Sequence, residues 1–308
     1  MMKKVIVSCI GVVLLLFVAV AFGGSFYMLD YSLAPDPQRA DTAQCFRQQF
    51  ETYPETRAWV DSLRAAKALR DTFVTMPTGE RHHALFVRKG ANKTALVVHG
   101  WRDCAIDYLC LARIYEREFN YNVVMPDLHA HGLSEGDMIQ MGWLDRKDVL
   151  HWLSVFRSDT MVVHGVSMGA ATTMMASAEK MPEGIKDIHF IEDCGYTSVW
   201  DEFAGELKKQ FGLPEFPLLH ISNLLCKIRY GWSFAEASPL RQVSKTMPPM
   251  FFIHGNADTF VPTEMVYPLY AAKPSAKRLW VTEGAGHAES YLKHKDEYIN
   301  RLRAFLAR

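Results

Sequence analysis

Residues 5–29 carry no charged side chain, and their apolar positions run on without the polar interruptions that mark an amphipathic helix. That length suffices for a bilayer, because about 20 apolar helical residues cross the hydrocarbon core. Lys3 and Lys4 precede the run and Tyr27 and Tyr31 close it. The expectation is a membrane segment with the lysines cytoplasmic and the rest of the chain exported. Ala19, Val20 and Ala21 support a second reading, the small-residue cleavage site of a secretory signal. Hydrophobicity resumes after Gly23 and Gly24 with Phe26, Tyr27, Met28 and Leu29, which favours an uncleaved anchor. The catalytic part would then be membrane-anchored and extracytoplasmic, in the periplasm or at the cell surface. Cleavage would make it a secreted protein. Residues 1–31 are therefore read as anchor or signal, and residues 32–70 as a linker and helices, with Phe46, Phe50, Trp59, Leu63 and Leu69 at helical spacing.

Beyond residue 70 the pattern changes period. Segments 71–76 and 83–88 read as two strands joined by a turn at Pro77, Thr78 and Gly79. From Ala95 onward short β-branched runs alternate with longer helical stretches, which predicts an α/β fold: a mostly parallel central sheet with helices on both faces. The strands are expected at 95–99, 123–126, 161–164, 187–192, 250–254 and 278–282. Three of them end alike, in His99 and Gly100, His164 and Gly165, and His254 and Gly255. These glycines would share the carboxyl edge of the sheet, where α/β proteins bind ligands. Between residues 196 and 249 the alternation lapses into an apolar, proline-punctuated stretch too long for an ordinary crossover. It reads as a helical cap inserted between a first core part, 71–195, and a second, 250–308.

Composition narrows the function classes. With 34 basic and 34 acidic residues the formal net charge is zero, so nothing marks the chain for nucleic acid. Of six cysteines, Cys9 lies in the apolar run; Cys45, Cys104, Cys110, Cys194 and Cys226 are odd in number and show no CxxC spacing. Cys104 with Cys110 or Cys194 are conceivable disulfides, and buried free thiols are the alternative. The sequence leaves the oligomeric state open.

The chemistry centres on Gly165, Val166, Ser167, Met168 and Gly169, between a buried-strand pattern and a helix expected from Met168 to Lys180. A strand that doubles back into a helix leaves no room for side chains at the crowded positions, so glycines flank a serine held at the tip. A serine hydroxyl needs a base, and the base needs an orienting carboxylate. His287, in the glycine loop after the last strand, is the candidate base. Asp258, in Gly255, Asn256, Ala257 and Asp258, is the candidate carboxylate, and Asp193 is its rival at another strand end. The backbone amides of Met168 and Trp101 are the expected oxyanion donors.

These residues resemble the α/β-hydrolase superfamily, and within it exported bacterial serine hydrolases near the serine aminopeptidase and lysophospholipase branches. The resemblance rests on His99, Gly100 and Trp101, on the run from Pro126 to Ser134, on the Ser167 elbow, on Gly255 to Asp258, and on Gly286 with His287. It implies a Ser-His-Asp triad of Ser167, His287 and Asp258, an acyl-enzyme intermediate, and no metal or cofactor. Its substrates would be small-molecule carboxylic esters, with short peptides as the alternative and a non-catalytic binding protein as the third reading. An aminopeptidase would need an anion for the substrate amine, for which Glu202, Glu206 or Glu236 in the cap are available. One departure stands out: His129 and Ala130 replace the family's usual arginine and glycine. The resulting pair His129 and His131 is expected to stabilise its loop rather than hold a metal.

Overall fold

The computed structural model describes residues 2–307. Its first element, α1 (Met2–Leu33), carries the apolar run two residues past the expected end of the anchor. Along α1 the large side chains are exposed from Val5 to Val20, whereas Ala21, Ser25, Leu29 and Leu33 are buried. A four-residue step keeps these on one helix face. That face packs against a later helix, α8, as described below. Helices α2 (Thr42–Thr52) and α3 (Glu55–Ala65) follow before the sheet begins.

Eight strands form one sheet: β1 (Leu69–Thr75), β2 (Arg81–Val87), β3 (Lys93–Val98), β4 (Asn122–Pro126), β5 (Thr160–Val166), β6 (Asp187–Asp193), β7 (Met250–Gly255) and β8 (Lys277–Thr282). Their order is β1-β2-β4-β3-β5-β6-β7-β8. β1 and β2 form the expected hairpin, β2 pairs antiparallel with β4, and every pair from β4 to β8 is parallel. Strand side chains alternate between two cores. Leu96, Val98, Val163, Phe190 and Phe252 enter one, and Ala95, Val97, Val162, Ile191 and Ile253 the other.

Helices α4 (Leu109–Glu118), α5 (Asp145–Val155) and α6 (Met168–Ala176) make the crossovers after β3, β4 and β5. Between β6 and β7 lie α7 (Val199–Phe211), α8 (Leu218–Tyr230) and the short α9 (Pro239–Val243), while α10 (Val266–Ala272) precedes β8, and α11 (Ser290–Lys293) and α12 (Lys295–Leu306) end the chain. α6 stops at Ala176, four residues before the expected end. There the backbone tightens into i→i−3 turns, with the Ala178 amide on the Met175 carbonyl at 3.4 Å and the Glu179 amide on the Ala176 carbonyl at 3.0 Å. The C-terminal third of α1 is bound to α8. Ser25 Oγ donates to the Leu218 carbonyl at 3.1 Å, Ser222 Oγ to the Ser25 carbonyl at 3.1 Å, and Arg229 pairs with Asp30 at 3.2 Å. All six cysteines are free thiols, and Cys104 makes a side-chain hydrogen bond with Cys45 rather than a disulfide with Cys110 or Cys194.

Buried titratable groups act on the fold's acid response in two directions. Burial pushes His82 down to about 4 and His164 down to about 3, the latter sitting between the hydroxyls of Tyr115 and Tyr298 at 3.0 Å each. Both stay neutral in the folded chain while the unfolded chain takes up protons below about pH 6.5. Each of these two histidines therefore takes stability away as pH drops from about 6.5 toward 4, by up to about 1.4 kcal/mol per unit. Buried carboxylates act in the opposite direction: burial pushes Glu192 and Glu202 up to about 8 and Asp148 up to about 7, so the folded chain holds their protons and gains stability as pH falls through the same range.

Candidate active site

The β5–α6 connection is a sharp elbow. Ser167 adopts φ 57° and ψ −120°, a conformation costly for a residue with a Cβ. The flanking glycines are required by space: a Cβ on Gly165 would lie 2.0 Å from the Gly169 carbonyl oxygen, and one on Gly169 would lie 2.1 Å from that of Val98. The Ser167 amide donates to the Asp193 carbonyl at 2.8 Å, which ties the elbow to the end of β6. As the first residue of α6, Met168 has an amide without an intrahelical acceptor, at the positive end of the helix.

Two loops at the same sheet edge approach this hydroxyl. The loop after β7 is knitted to the loop after β8, with the Ala257 amide on the Ala285 carbonyl at 2.9 Å and the Gly284 amide on Asn256 Oδ1 at 2.6 Å. His287 Nε2 lies 2.8 Å from Ser167 Oγ, and His287 Nδ1 lies 2.7 Å from Asp258 Oδ2. The other oxygen of Asp258 accepts the amides of Phe260 and Val261 at 2.9 and 3.0 Å. Burial opposes the charge on Asp258, but hydrogen bonds from His254 and His287 outweigh it and hold the carboxyl well below the usual carboxylate range. The sequence-predicted serine, histidine and first-choice aspartate are thus brought into one hydrogen-bonded line.

Asp193 is not part of that line. Its Oδ2 accepts the Tyr298 hydroxyl at 2.8 Å inside the core, and burial pushes its carboxyl up to about 6. His129 and His131 have loop duties. His129 bonds the Met138 carbonyl and Glu80, and His131 accepts the Arg102 amide at 3.1 Å while its other nitrogen meets the His129 carbonyl. The turn carrying Trp101 is braced from outside the motif: the Gly100 amide donates to Tyr108 Oη at 3.1 Å, and that hydroxyl donates to Asp103 at 2.8 Å. Among the described residues, Cys45, Cys104 and Asp107, and Cys194, Asp258 and His287, are close enough together to surround a cation. The Cys104 thiol is raised by its hydrogen bond with Cys45 and by burial, and Cys194 by burial. A raised thiol makes the proton release that metal binding requires more costly.

Ser167 opens into a pocket whose walls include Trp101, Met141, Met168, Tyr196, Phe203 and Phe260. One feature of this cavity escaped sequence reasoning. Tyr31 and Ser32, at the end of the apolar N-terminal helix, form part of its wall, and the Trp101 indole donates to the Ser32 carbonyl at 3.0 Å. Glu202 also faces it, buried on the first turn of α7 and pushed up to about 8 by burial and by neighbouring Glu206. A regularly spaced small residue, Ser25, inside an otherwise apolar run was the available hint that one face of α1 docks on protein.

No protein-family model matches the chain. The uncharacterized protein YqkD of Bacillus subtilis is 28% identical over 218 residues, covering 69% of this chain and 70% of that protein. The Pyrococcus furiosus esterase Pf2001 superimposes with a TM-score of 0.63 at 23% identity, over 78% of this chain and 92% of the esterase. A membrane phospholipase A described as a bacterial virulence factor superimposes with a TM-score of 0.56 at 15% identity, over 100% of this chain and 98% of its own. The fold of this chain is the α/β-hydrolase fold.

Proposed function

We propose that the chain is a serine hydrolase acting on carboxylic esters through Ser167, His287 and Asp258. The observation that carries this reading is the hydrogen-bonded line from Ser167 Oγ through His287 to Asp258, with distances of 2.8 and 2.7 Å. Ser167 attacks the acyl carbon as His287 Nε2 takes its proton, and the amides of Trp101 and Met168 receive the oxyanion. His287 then protonates the leaving alkoxide. Water enters, His287 takes its proton, and the acyl-enzyme breaks to carboxylic acid and free Ser167. Asp258, held ionised, keeps His287 in the tautomer that accepts at Nε2. Esterases among the structural neighbours support the ester assignment.

A second reading, amide or peptide hydrolysis, is favoured by one observation. Glu202 and Glu206 both face the cavity, where a carboxylate could hold a substrate amine; Glu206 also pairs with Lys209 at 3.5 Å, and Glu236, outside the cavity wall, pairs with Lys227 at 2.8 Å. The neighbour set also includes an acylaminoacyl peptidase from Pyrococcus horikoshii. Comparing p-nitrophenyl acyl esters with aminoacyl p-nitroanilides separates the two. The expected result is a kcat/KM at least about 100-fold higher for the esters, equivalent to about 2.7 kcal/mol in the transition state. Preference for the anilides would replace the first reading with the second.

The N-terminal segment is read as an uncleaved anchor that leaves the site on the extracytoplasmic side. Lys4–Leu33 is a 30-residue apolar helix, long enough to cross a membrane. The packed face from Ser25 to Leu33 and the bond from Trp101 to Ser32 lie beyond Ala21, so it is the apolar run resuming after Gly24 that supports retention.

A further inference from the structure

The cavity at Ser167 does not end where the cap begins. A second, shallower crevice shares Tyr31, Ser32, Phe203, Glu206 and Gln210 with it. It adds Tyr27 and Met28, one turn back along α1, and Phe211 at the end of α7. The two form one groove between α1 and α7, running from the serine toward the exposed, apolar half of α1.

The depth of the groove's mouth follows from the helix. Counting from Val5, about 20 residues at 1.5 Å each cover the roughly 30 Å of hydrocarbon, which brings the far boundary to Gly24. Gly24 lies against the start of α8, where a Cβ would be 3.1 Å from Leu218. The turn leading to Leu218 therefore sits at that boundary. It is apolar and unprotected: Phe216 is 69% exposed, and Leu213 and Phe211 are exposed beside it. Tyr27, at the mouth of the groove, falls less than about one helical turn beyond the boundary, within the polar interface.

We propose that the groove between α1 and α7 is the entry path for a bilayer-borne, long-chain acyl ester, which reaches Ser167 without leaving the lipid interface. This rests on the serine-hydrolase reading and on α1 spanning the membrane. Tyr27, Met28 and Phe211 receive the chain from the lipid, and the deeper wall of Trp101, Met141 and Phe260 holds it beside the serine. At the junction Tyr31 donates to Gln210 at 3.4 Å, and Gln210 bonds Glu206, a polar band suited to the ester and glycerol-like oxygens of an amphiphile.

The test uses the full-length protein in phosphatidylcholine and phosphatidylglycerol vesicles with two serine-directed organophosphorus fluorides. One is water-soluble diisopropyl fluorophosphate; the other carries a hexadecyl chain and is dissolved in the vesicle. In each, Ser167 Oγ bonds phosphorus, the P–F bond breaks, fluoride leaves, and His287 takes the serine proton. Gln210→Trp places a large side chain in the shared stretch of the groove at an exposed helix position, so the fold is retained. The expected result is that the substitution lowers the ratio of long-chain to short labelling rates at least tenfold. A ratio that moves less than threefold overturns the groove as an entry path while leaving the hydrolase reading intact. Labelling by neither probe in the wild-type protein overturns the hydrolase reading, and the entry path with it.

Discussion

Ser167→Ala is expected to lower kcat/KM on p-nitrophenyl esters by a factor of about 10⁴ or more, equivalent to at least about 5.5 kcal/mol of transition-state stabilisation. The loss is large because the covalent route disappears. What remains is oxyanion stabilisation and binding, which act on a water molecule that no residue holds in the attacking position. The fold should survive. Ala carries the same Cβ at φ 57°, and the Ser167 amide keeps its bond to the Asp193 carbonyl at 2.8 Å. Steady-state kinetics beside a thermal melt read both statements. Activity within tenfold of wild type in a protein free of contaminating esterase would remove Ser167 from the mechanism.

Asp258→Asn should cost about 10⁴-fold in kcat with little effect on KM, by a different physical route. The asparagine oxygen can still accept the amides of Phe260 and Val261, so the loop after β7 keeps its shape. Its NH₂ then faces His287 Nδ1, 2.7 Å away in the wild type, as a donor. His287 answers by accepting at Nδ1 and carrying its proton on Nε2, where it can no longer take one from Ser167. The substitution also removes the negative charge that would balance a protonated His287. Single-turnover acylation measured beside steady-state turnover separates this from lost binding. A raised KM with kcat unchanged would place Asp258 in substrate binding instead.

Much of this was legible in the chain because the physics involved is local. All eight strands were expected close to where they lie, since runs such as Met161 to His164 are buried on both faces and bounded by turn residues. The elbow was legible because Gly165 and Gly169 answer a backbone clash within a few residues of Ser167. Asp258 could be preferred over Asp193 from its loop context, and the reason for the difference is visible in space: Asp193 is turned into the core toward Tyr298. The repeated His-Gly strand ends also have a physical account. His99 accepts the Leu128 amide, His164 sits between two tyrosine hydroxyls, and His254 donates to the Val261 carbonyl.

What stayed hidden depends on contacts between distant segments. In a uniformly apolar run, residues that face lipid and residues that face protein obey the same hydrophobic preference, so the burial of Leu29 and Leu33 leaves no compositional trace. Tyr31 and Ser32 reach the cavity only because α8 holds α1 in place, and α8 lies almost two hundred residues away. Glu202 reads as a surface residue on a polar helix turn, and its burial appears only when α7 closes over the site. The early end of α6, where the chain tightens into i→i−3 turns after Ala176, is not announced by any periodicity.

The most direct measurement is the site of covalent labelling by a fluorophosphonate, read by peptide mass spectrometry on the full-length protein. One phosphonyl group per chain is expected, on Ser167, and His287→Ala should slow its appearance at least about 100-fold, the lower end of the range for a lost general base. An adduct on any other residue, or none under conditions that label a known serine esterase, would contradict the account.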